Sequence, residues 1–125
     1  MRPLAATLFL ALASLPACVS MQPGFDSPEP AARIDAILAA ARANDTSAVP
    51  DLVALLDSDD PATRLLAIRT LEKLTGTTND YDYAANDAQR EKGVERWLEW
   101  LRRRGMAPKP SPPAPVDGDE APKPE

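Results

Sequence analysis

The residues able to do chemistry fall into two acidic runs and one lone thiol. Asp57, Asp59 and Asp60 surround Ser58, while Asp80 and Asp82 flank Tyr81, with Tyr83 close behind. Clustered carboxylates can hold a cation or divide acid and base roles. The first run, however, has the order of a loop feeding a helix, since Asp60 stands directly before Pro61. The second lacks the Asp-x-Asp-x-Asn-Gly order of a calcium loop. Both are read as solvated loops, so no metal ligand and no cofactor is assigned. The chain contains no histidine, which closes off Ser-His-Asp and Cys-His triads and any histidine-ligated metal. No catalytic residue is assigned, and the expectation is a protein that is not an enzyme. The single cysteine is Cys18.

Cys18 follows Leu15-Pro16-Ala17 at the end of an apolar run that begins at Leu4, and Arg2 supplies a positive start. The order of charge, short apolar stretch and small residues is that of an export signal. The apolar stretch falls short of the about 20 residues that span a bilayer. The segment resembles the lipobox of bacterial lipoprotein signal peptides. That resemblance implies cleavage between Ala17 and Cys18 and lipid on Cys18, with an ordinary secretory signal as the plainer alternative. It places the protein in the cell envelope, lipid-anchored. Val19 rather than aspartate favours the outer membrane if the host cell has one. A lipidated Cys18 leaves no thiol for a disulfide or a metal.

Removing residues 1–17 from the 125 leaves 108, enough for one small domain. The formal net charge of −5 becomes −6 with loss of Arg2. An acidic chain of this kind argues against nucleic acid as a partner. Residues 18–27 read as a tether whose extended reach is about 30 Å at roughly 3.3 Å per residue. Residues 28–105 carry the helix formers and the apolar positions. Residues 106–125 contain Pro108, Pro110, Pro112, Pro113, Pro115, Pro122 and Pro124, a composition that predicts disorder or local polyproline II.

Four helices are expected between the tether and the tail. The first spans 28–43, capped by Ser27 with Pro28 in its first turn, and shows a stripe of Ile34, Ile37, Leu38 and Ala41. The second spans 48–56, capped by Thr46 or Ser47. Val49, Leu52, Val53, Leu55 and Leu56 cover much of its circumference, which predicts a central position. The third spans 61–74, capped by Asp60 and ended by Gly76, with Leu65, Ile68, Leu71 and Leu74 facing inward. The fourth spans 87–104, with Asn86 and Gln89 as a capping pair and Val94, Trp97, Leu98 and Leu101 as its stripe. Arg102, Arg103 and Arg104 complement its negative end.

Two helices repeat each other. Glu29-Pro30-Ala31-Ala32-Arg33-Ile34-Asp35-Ala36-Ile37 aligns with Asp60-Pro61-Ala62-Thr63-Arg64-Leu65-Leu66-Ala67-Ile68 at an offset of 31, with five of nine positions identical. A fixed offset of this size is the mark of a helical repeat. The acid caps free amides, the proline presets φ, and the arginine is expected to reach an acid near the helix start. The stretch 28–76 resembles the HEAT-repeat superfamily, especially its short bilin-lyase-like form. Val49-Pro50-Asp51-Leu52-Val53-Ala54-Leu55-Leu56-Asp57 resembles a first helix and the segment from Asp60 a second. Thr63 stands where that family usually has an apolar residue. The stretch from Leu74 through Tyr81-Asp82-Tyr83 to Trp97 and Trp100 resembles a closing segment seen after such repeats in some bacterial envelope proteins. The implied fold is all-α: a short HEAT-like repeat closed by a tryptophan-containing C-terminal helix.

Candidate partner contacts are Trp100, Leu66, Tyr81 and Tyr83. Trp97 lies within the stripe and reads as core. Trp100 lies about 60° from it around the helix, at the stripe's edge, where it is either half-buried packing or an exposed anchor. Tyr81 and Tyr83 are read first as pins for the loop before the last helix. Leu66 sits off the main stripe of its helix. Three functions are weighed. The first is a membrane-anchored, non-catalytic protein-interaction module with an unidentified protein partner. The second is an envelope enzyme or accessory working through carboxylates and tyrosines, which a pocket enclosing Asp80, Asp82 and Tyr83 would favour. The third is a purely structural lipoprotein.

Overall fold

The computed structural model describes residues 24–112. Ala17 and Cys18, and with them the lipidation and cleavage expectations, lie outside the described residues. Among the described residues the protein is all-helical. Its elements are α1 (Pro30–Ala43), α2 (Val49–Ala54), α3 (Pro61–Thr75) and α4 (Asp87–Arg103), with single 3₁₀ turns at Thr46–Ala48 and Leu55–Asp57 on either side of α2.

The repeat is realised as a side-by-side pair. α1 packs along α3, and α2 packs on α3. Lys73 Nζ donates to Ala41 O at 2.5 Å, joining the C-terminal ends of α3 and α1, so the two equivalent helices run in the same sense. α4 closes the other side by packing on α2 and on the 3₁₀ turn that follows it. The central position expected of α2 is what the structure has. Val49, Leu52, Val53, Leu55 and Leu56 are all 2% exposed or less. A helix this short stands only by packing, and here it is surrounded.

The start of α1 differs from the sequence expectation. Its N-cap is Glu29 and its first-turn proline is Pro30, not Ser27 and Pro28. Ser27 instead turns the chain just before the helix, its Oγ accepting from Glu29 N at 3.2 Å. Ser58 does the same before α3, accepting from Asp60 N at 3.2 Å. The repeat therefore extends upstream to Ser27 and Ser58. A cap rule applied to α1 alone picks the serine; the alignment with α3 picks the position of the acid, but the Glu29 side chain makes no cap hydrogen bond, unlike Asp60. The second helix is likewise capped by Asp45, whose carboxylate accepts from Ser47 N at 3.0 Å, rather than by Thr46 or Ser47.

The buried faces of α1 and α3 are also rotated from the expected stripes. α1 buries Arg33, Ala36, Ile37 and Ala40, while Ile34, Leu38 and Ala41 are only half-buried. α3 buries Thr63, Arg64, Ala67, Ile68, Thr70 and Leu71, with Leu65 and Leu74 half-buried. Small residues at positions 36, 40 and 67 put the two helices in close contact. A search for large apolar residues passes over such a seam.

Candidate protein-binding site

The repeat arginines show what holds the loops in place. Arg64 Nη1 donates to Ser58 O at 2.7 Å and to Asp59 O at 3.0 Å, and its Nε donates to Tyr83 O at 3.3 Å. Arg33 Nη1 donates to Ser27 O at 2.9 Å and to Pro28 O at 3.4 Å. Both arginines are buried. They bind backbone carbonyls, not the acid expected at the helix start. The reason is geometric: the chain enters each helix sharply, and its carbonyls would otherwise be buried without donors. The equivalent acid is already engaged. Asp60 accepts from Ala62 N at 3.3 Å and Thr63 N at 2.9 Å. Thr63 Oγ1 donates to it at 2.6 Å, which explains how a hydroxyl is tolerated at a fully buried position. That hydroxyl bond, joined by the two amides and by Arg33, holds the Asp60 carboxyl below its ordinary value of 3.8 against the opposing effect of burial.

The loop between α3 and α4 is built on these contacts. Gly76 ends α3 with φ 80°, the left-handed region a glycine enters without strain. Asn79 and Asp80 follow in the same region, with φ 48° and 56°. Arg96 of α4 spans the pair, its Nε donating to Asn79 O at 2.8 Å and its Nη2 to Asp80 O at 2.7 Å. Trp97 Nε1 donates to Thr78 O at 3.0 Å. Tyr81 Oη donates to Leu56 O at 2.7 Å. Burial pushes the Tyr81 phenol up to about 12, although Arg64 and Arg90 pull the other way.

Each candidate contact now has a place. Tyr81 is buried against Gly93 of α4 and serves as the pin between loop and core. Tyr83 is half-buried, and its carbonyl is the third acceptor of Arg64. Trp97 is fully buried, and Trp100 is 8% exposed, tilted against Trp97 with ring centroids 5.4 Å apart. The Arg104 guanidinium covers Trp100 at 3.7 Å from the ring centroid, a cation–π contact. Leu66 is half-buried against the core. Tyr81 and Tyr83 share a depression with Ile68, Arg69, Glu72 and Asp82. Asp80 and Asp82 line a different one, with Gln89, Lys92 and Arg96.

A further groove escaped sequence reasoning. It runs along the outer face of α4 and is lined by Asp80, Lys92, Glu95, Arg96, Glu99 and Arg103 together with Asn79. Its signal was the spacing 92, 95, 96, 99 and 103, a helical stripe that reads as an ordinary solvated face. Charges of both signs alternate along it. Within the groove, Arg96 is committed to the loop. Asn79 is half-buried, and Asp80, Lys92, Glu95, Glu99 and Arg103 are exposed. Among the described residues no cluster of three or more His, Cys, Asp or Glu is arranged to hold a metal ion, and no helix is long and apolar enough to cross a membrane.

No curated protein and no solved structure matches the chain. One family model does, over residues 22–88, ending in the first turn of α4. With the serine turn, acidic cap, proline and buried arginine all duplicated at an offset of 31, and with that match extending over more than half of its length, the chain belongs to the family of HEAT repeats.

Proposed function

We propose that this protein is a membrane-anchored, non-catalytic interaction module of a bacterial cell envelope, held at the membrane by lipid on Cys18. HEAT repeats generally mediate protein–protein interaction as scaffolds. The observation that carries the reading here is the stacked pair α1–α3. Its duplicated devices, the serine turn and the buried arginine, fix how the chain enters each helix, the kind of local order a binding scaffold needs. The partner surface in this reading is the mixed-charge groove of α4 with the loop it braces. Tyr81 and Trp100 support α4 from within, and Leu66 and Tyr83 are partly exposed. Alternating charges on an exposed ridge give a protein partner register and selectivity more than raw affinity.

The test is crosslinking and capture of the full-length protein from solubilised envelopes, alongside Cys18→Ser and the double charge reversal Lys92→Glu/Glu95→Lys. The expected result is a reproducible protein partner that is lost with the charge reversal at unchanged melting temperature. Cys18→Ser is expected to move the protein out of the membrane fraction. A partner indifferent to the groove charges would displace the interface from α4. A protein that remains membrane-bound without Cys18 would end the lipid reading.

A further inference from the structure

The tail carries one tetrapeptide twice. Ala107-Pro108-Lys109-Pro110 recurs as Ala121-Pro122-Lys123-Pro124, 14 residues later. The first copy is not free in the structure. After Gly105 the chain turns back, Met106 packs on the core, and the proline segment lies across the outer side of α2. Lys109 Nζ approaches Asp51 Oδ1 at 4.0 Å. Ser111 Oγ donates to Asp57 Oδ2 at 2.9 Å. Lys109, Pro110 and Pro112 border a depression whose other walls are Gly24, Phe25, Asp26, Asp51 and Ala54. An aromatic ring, two small residues and two acids are elements that can receive a proline-rich strand carrying a lysine. The ring presents a flat apolar face to prolines that are already extended, so little entropy is lost on docking.

We propose that the depression between Phe25 and α2 is a docking site for the sequence Ala-Pro-Lys-Pro, and that the tail of this chain occupies it in two alternative registers, through Lys109 or through Lys123. The proximal register dominates. Ser111 follows the first copy and bonds to Asp57, whereas Glu125 follows the second and would set a carboxylate beside that same acid. The ten residues between the two copies span up to roughly 33 Å at about 3.3 Å per residue, so the second copy can reach the site on its own molecule. The two copies thus compete for one site on the same chain.

The experiment follows the backbone amide resonances of Phe25 and Ala54 in the isotope-labelled full chain. Lys109→Glu is expected to move them part of the way to a vacated position, because the distal copy takes over. Adding Lys123→Glu should complete the movement. Adding Asp51→Lys to that double variant should restore the docked positions by exchanging the charges. The proposal is overturned if Lys109→Glu alone moves the resonances as far as the double variant, because the distal copy then has no place in the site. It is also overturned if neither variant moves them, or if the partial shift of Lys109→Glu depends on protein concentration, which would put the second copy on another molecule.

Discussion

At the scale of single residues, the two repeat arginines are related by sequence but not equal in load. Arg64 serves three carbonyls and joins α3 to the α3–α4 loop, while Arg33 serves two and its Nε has no partner among the described residues. Hydrogen bonds to a charged group contribute about 1.5–3 kcal/mol where their loss strands a buried partner. Arg64→Met should therefore cost about 3 kcal/mol and Arg33→Met about half that, read as midpoints in urea at constant slope. Equal costs would mean that the bond to Tyr83 O contributes nothing. Two titrating groups give the same question in terms of pH. Asp60 has a depressed pKa in the folded state, so the stability it contributes is present above the unfolded value and is lost as pH falls below about 4. Asp60→Asn should blunt that acid loss, and Asp60→Ala should cost about 1 kcal/mol at neutral pH through the lost cap. Tyr81 is raised, so its contribution is full below the unfolded value near 10 and disappears as pH climbs from there toward 12. Tyr81→Phe should flatten the alkaline side of the melting curve and lower its plateau by about 1 kcal/mol, as Leu56 O loses its donor.

The elements were legible in the sequence to the extent that their signals were local. α3 could be read almost to the residue because Asp60, Pro61 and Gly76 mark its ends by three independent mechanisms. α1 has the same markers in weaker form, a glutamate for the aspartate and Asn44 in left-handed conformation for the glycine, and its start was misplaced by two residues. The position of Trp100 was readable only as far as the two alternatives of packing and exposure. Helical periodicity puts it at the stripe's edge, and only the chain's reversal at Gly105 and the guanidinium of Arg104 cover it. The α4 groove was invisible for a related reason, since a groove depends on which loop lies beside a charged helix face. Gly93 shows what such packing demands. A Cβ there would sit 2.6 Å from Tyr81 Cδ2 and 3.4 Å from the Tyr81 backbone. Alanine would gain up to about 1 kcal/mol of helix propensity, but overpacking against an anchored ring costs about 1–3 kcal/mol. Since the Tyr81 hydroxyl holds the ring in place, the clash should win. Gly93→Ala is expected to lower the melting temperature, and a rise would show that the loop yields.

For the molecule as a whole, the decisive element is the one the family match almost leaves out. The repeat supplies α1, α2 and α3, and the matched region ends in the first turn of α4. Arrays of this kind need about three units and atypical ends to stand alone, and this domain has fewer. α4 makes up the difference. Trp97 and Leu101 are fully buried against α2 and the turn after it, and Trp97 also anchors the preceding loop through Thr78 O. Truncating one such tryptophan to alanine costs about 3–5 kcal/mol, against about 5–15 kcal/mol for the total stability of an ordinary domain. A chain ending after Asn86 would lose all of α4 and expose α2, a helix of six residues with no independent stability. It should lose its helical circular dichroism altogether and not leave a folded α1–α3 pair. Trp100→Ala, by contrast, removes a ring that is 8% exposed and covered by the Arg104 guanidinium. It should lower stability by less than Trp97→Ala while leaving the helical signal intact. If the shortened chain kept a cooperative melt, the α1–α3 seam with its two arginine clamps would be a self-sufficient fold and α4 an appended binding helix. Its collapse would instead make closure and binding two duties of one helix, so that any partner gripping the outer face of α4 would also stabilise the repeat beneath it.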